Sequence, residues 1–82
     1  MDARFITLAT LLRERLAVIA DHALRDADPA EHLQRLQQVS ESLTTEHQRL
    51  RAALPARLEH FMSQASYQKA LAFLEHGDTG HG

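Results

Sequence analysis

Between Ala3 and Ala27 the apolar residues Phe5, Leu8, Leu12, Leu16, Ile19 and Ala23 recur at steps of three or four, the spacing of one face of an α-helix. At about 100° per residue, Leu11 and Val18 widen this face on one side, and Ala9 and Ala20 widen it on the other, to roughly half the circumference. One neighbouring helix cannot cover so broad a face. Helix one must therefore be central, sharing its surface with two further elements or with another chain.

A chain of 82 residues has few other means of stabilising itself. A domain this short buries only roughly 60% of the surface that its unfolded chain exposes. With no cysteine, neither disulfides nor thiolate metal ligands can supplement the core, which leaves close helix packing and self-association. Hydrophobic residues at 44% and charged ones at 24% are a globular balance, so the bulk of the chain should fold.

The second boundary is written in Asp28-Pro29-Ala30-Glu31. Asp28 can accept a hydrogen bond from an unpaired amide, Pro29 has no amide to leave unpaired, and Glu31 can reach back to the amide of the cap. Helix two then carries Leu33, Leu36, Val39, Leu43, Leu50 and Leu54 on a narrow stripe of about 120°, which places it on the outside. Pro55 should end or bend it and can open a new helix. Residues 55–76 form one kinked helix or two short ones, with Ser63 or Ser66 available as a cap, and Gly77 after His76 suits a left-handed stop. The expected fold is all-α: a small antiparallel bundle of three helices over residues 1–76, the third whole or broken into two, dimerising through helix one. Residues 77–82 should be a flexible tail.

Chemistry is sparse. His22 and Asp26 stand at i and i+4, and His32 begins the next helix, a set that can converge on a metal ion only if the connection is tight. The same residues also serve as an ordinary helix end and capped turn, the reading preferred here. On a continuous helix one, Arg15, His22 and Asp26 form a polar line through the apolar arc, read as an ion-paired rim or a polar contact between subunits. His47 lies in the seam of helix two between Leu43 and Leu50, where a neutral histidine with one hydrogen-bond partner is the expectation. No serine or threonine stands in a nucleophile turn, and the three glycines fall at the C-terminal end, away from any phosphate-cradling loop. Tyr67 and Phe73 belong to an aromatic stretch that should form a lid on the core or, if exposed, a partner surface.

The net charge of −2 and the scattered basic residues argue against nucleic acid as a partner. Apolar runs broken by Arg4, Arg13, Glu14 and Arg15 predict neither a signal peptide nor a spanning segment, hence a cytoplasmic protein without a membrane partner. The leading expectation is a non-enzymatic helical interaction module, a homodimer or an adaptor for another protein, without catalytic residues, cofactor or metal. Its expected interface residues are Leu11, Val18, Arg15, His22, Tyr67 and Phe73. A metal- or small-ligand-binding protein using His22, Asp26 and His32 is the alternative, and a DNA-binding regulator ranks below both.

Overall fold

Asp21 interrupts the long first helix that the apolar spacing predicts. In the computed structural model, which describes residues 2–77, a 3-10 turn at Ala3–Phe5 leads into α1, Ile6–Ala20, and α2, His22–Ala27, follows as a separate short helix. The Asp21 carboxylate accepts from the Leu24 amide at 3.0 Å, and the Asp21 amide donates to the Val18 carbonyl at 3.1 Å. An aspartate inside a helix offers its oxygen to nearby amides, so here it caps the next turn instead of continuing the last one. The break hides in the sequence because Ala23 keeps the apolar periodicity running past it. His32 closes the corner from the other side, donating from Nε2 to the same Val18 carbonyl at 2.8 Å.

α3 spans Pro29–Leu50, and Asp28 caps it by accepting from the Glu31 amide at 3.1 Å. The reciprocal arm of the expected capping box does not form. The Asp28 amide is taken by the Leu24 carbonyl at 2.7 Å, and the Glu31 carboxylate instead accepts from Arg35, one turn on, at 2.9 Å. The helix ends one turn before Pro55, in a 3-10 turn at Arg51–Ala53. Leu54 is extended, as a residue before proline prefers to be.

Residues 55–76 form two helices, α4 at Ala56–Ser63 and α5 at Tyr67–His76. The turn between them places Ala65 at φ 54°, in the left-handed region. Ser66 occupies the N-cap of α5 without a side-chain capping bond, and Gly77 closes the helix at φ 77° with its amide on the Phe73 carbonyl at 2.8 Å. The tail expected beyond Gly77 lies outside the described residues.

α1 is the central helix and packs against both α3 and α5, while α2 rests on α3 and α4 on α5. Leu8, Leu12, Leu43 and Leu58 are the largest fully buried side chains. Ala9 and Ala70, also fully buried, supply small contacts on α1 and α5. The core is one-sided, however. The first half of α1 buries Leu8, Ala9 and Leu12, whereas Ile19 is 40% exposed on its last turn, Leu33 is 54% exposed on the first turns of α3, and α2 buries nothing.

Candidate functional site

The antiparallel pairing of α1 and α3 leaves a shallow furrow along one side. Near Val18 it is a hollow of about 370 Å³ walled by Glu14 and Ala17 on α1 and by Arg35 and Val39 on α3. Near Leu11 it widens to about 600 Å³ between Thr7 on α1 and Thr45 on α3. The two stretches share Gln38 and Ser42, so they form one continuous furrow. Leu11 and Val18, seven residues apart and hence on one side of α1, both line it half-buried.

The other expected interface residues lie elsewhere. The Arg15 guanidinium stacks 4.6 Å from the centre of the Tyr67 ring, joining α1 to the start of α5 in a separate pocket. Phe73 packs half-buried against the core with its ring 6.4 Å from Phe61, edge to face. His22 is exposed on α2. Because the chain breaks at Asp21, the expected polar line from Arg15 through His22 to Asp26 does not exist as one helical row. Nor are His22, Asp26 and His32 gathered as ligands. His32 is engaged at the end of α1, and among the described residues no cluster of three metal-binding side chains occurs.

His47 has its single partner, though one separated from it by Pro55. Its Nε2 lies 2.7 Å from Oε2 of Glu59 on α4, and Ser63 donates to the other oxygen of that carboxylate at 2.8 Å. The hydrogen bonds from His47 and then Ser63 hold the Glu59 carboxyl below the usual glutamate range. The carboxylate stands between the hydroxyl and the imidazole, so the three side chains form one hydrogen-bonded row that ties α3 to α4. Glu46 is a second polar residue that the sequence reading missed. It is buried beside the furrow and held below its usual range mainly by hydrogen bonds from Arg49, at 2.9 and 2.6 Å. The i, i+3 spacing of Glu46 and Arg49 was a legible signal, whereas the pairing of His47 with Glu59 depends on how the chain turns at Pro55.

Among the described residues no helix is long and apolar enough to cross a membrane. No family model matches the chain, and neither a curated protein nor a solved structure matches it significantly.

Proposed function

We propose that this protein is a non-enzymatic helical interaction module whose furrow between α1 and α3 receives a second copy of the same chain. The observation that carries the reading is the furrow itself, where half-buried Leu11 and Val18 remain open to solvent on the central helix. Small rim residues, Thr7, Ala17, Ser42 and Thr45, allow a helix backbone to approach closely. From Thr7 to Val18 the furrow follows α1 for roughly 17 Å, about three turns of a docked helix.

A second copy suits this surface because its charges are self-complementary. Glu14 and Arg35, the latter already held by Glu31 of its own chain, stand on the two walls of the same hollow, so in a twofold pairing each copy would bring both signs of charge to the seam while Val18 meets Val18 near the axis. Substituting Val18→Glu places two like charges at that axis and should weaken association by about a hundredfold or more, while helicity is retained. Ile6→Glu serves as the control, since Ile6 is 54% exposed and lines neither stretch of the furrow. Size-exclusion chromatography of both variants beside the parent decides between the readings: equal elution of all three would overturn the proposal.

A further inference from the structure

A separate pocket of about 330 Å³ lies between Arg15 and Leu16 of α1 and the turn that joins α4 to α5. Two cations, Arg15 and Lys69, line it. Among the described residues neither has a carboxylate within ion-pair reach, although the other arginines near the core are matched, Arg13 with Glu75 and Arg49 with Glu46. Arg15 is held firmly all the same. Its guanidinium face is covered by the Tyr67 ring, and its Nε is fully buried with no acceptor.

A half-buried cation without a counter-charge is unfavourable, and a mobile surface arginine would swing into water. This one is stacked in place, with its charge adding to that of Lys69. We infer that the pocket is a binding site for a small organic acid, whose carboxylate pairs with Arg15 and Lys69 and whose carbon chain lies against Leu16 and Tyr67. Stacking covers one face of the guanidinium and burial closes off its Nε, which leaves the two terminal NH2 groups for hydrogen bonding. That planar fork matches the two oxygens of a carboxylate. The apolar wall gives the carbon chain a surface that an inorganic anion would not use, and the volume suits a ligand of a few heavy atoms.

Titration of the full ¹⁵N-labelled chain with butyrate, at constant ionic strength, tests the site. The Arg15 Nε–H resonance and the Tyr67 and Lys69 amides should shift along a saturable curve. Arg15→Gln should weaken the apparent affinity by about tenfold or more, and Lys69→Gln, an exposed position that leaves the fold intact, by about threefold. Shifts that follow ionic strength alone, or a Lys69→Gln protein that binds like the parent, would overturn the site. Inorganic phosphate saturating the same resonances as tightly as butyrate would overturn the organic-acid assignment.

Discussion

Two aspartates do the same work at neighbouring corners, Asp21 for α2 and Asp28 for α3, each accepting the amide three residues on. Replacing either with alanine should lower stability by about 0.5 to 2 kcal/mol, measured by urea titration. Asp28 was legible because Pro29 and Glu31 surround it with the other marks of a helix start. Asp21 was not, because no proline or glycine accompanies it and the apolar spacing continues across it. The Glu59 carboxylate leads to a prediction about pH. Its proton affinity is lowered in the folded state, so its share of stability is present above the usual glutamate range and disappears as pH falls through the lowered value. Between about pH 5 and about pH 3, the parent should therefore lose more stability than Glu59→Gln, whose side chain does not titrate. Equal losses in the two proteins would leave the contact between His47 and Glu59 without an energetic role.

At the scale of elements, the turns are less predictable than the helices they join. The turn between α4 and α5 puts Ala65 at φ 54°, where a β-carbon is strained. Ala65→Gly should relieve that strain and raise stability by about 1 kcal/mol, even after the added freedom of glycine in the unfolded chain is counted. A fall in the thermal midpoint would mean that the turn does not persist in solution. No glycine marks this turn, and for that reason the sequence left residues 55–76 open between one helix and two. Apolar spacing reveals which face of a helix is buried, and it identified α1 as the central helix correctly. It is silent on how far along a helix the cover extends. Thus Ile19, Leu33 and Leu36 read as core positions of equal standing with Leu12 and Leu43, yet the first two are exposed and lie outside the buried cluster that Leu12 and Leu43 share.

For the whole molecule, the broad arc of α1 is shared between α3 and α5, and a furrow beside α3 stays open. The need for more than one neighbour was readable from Phe5 through Ala23, since it follows from the angular width of the apolar face. The positions of the furrow and the organic-acid pocket were not, because both are made by residues more than twenty apart in the chain, Val18 with Val39 and Arg15 with Tyr67. If a second copy fills the furrow, several hundred Å² of apolar surface at about 25 cal/mol per Å² gives on the order of 10 kcal/mol before association costs, substantial for so small a core. Multi-angle light scattering of the unmodified chain across a series of micromolar concentrations tests this most directly. The expected result is a mass twice the 9.2 kDa of one chain, falling toward it on dilution. A constant mass of 9.2 kDa at every concentration would contradict self-association through the α1–α3 furrow.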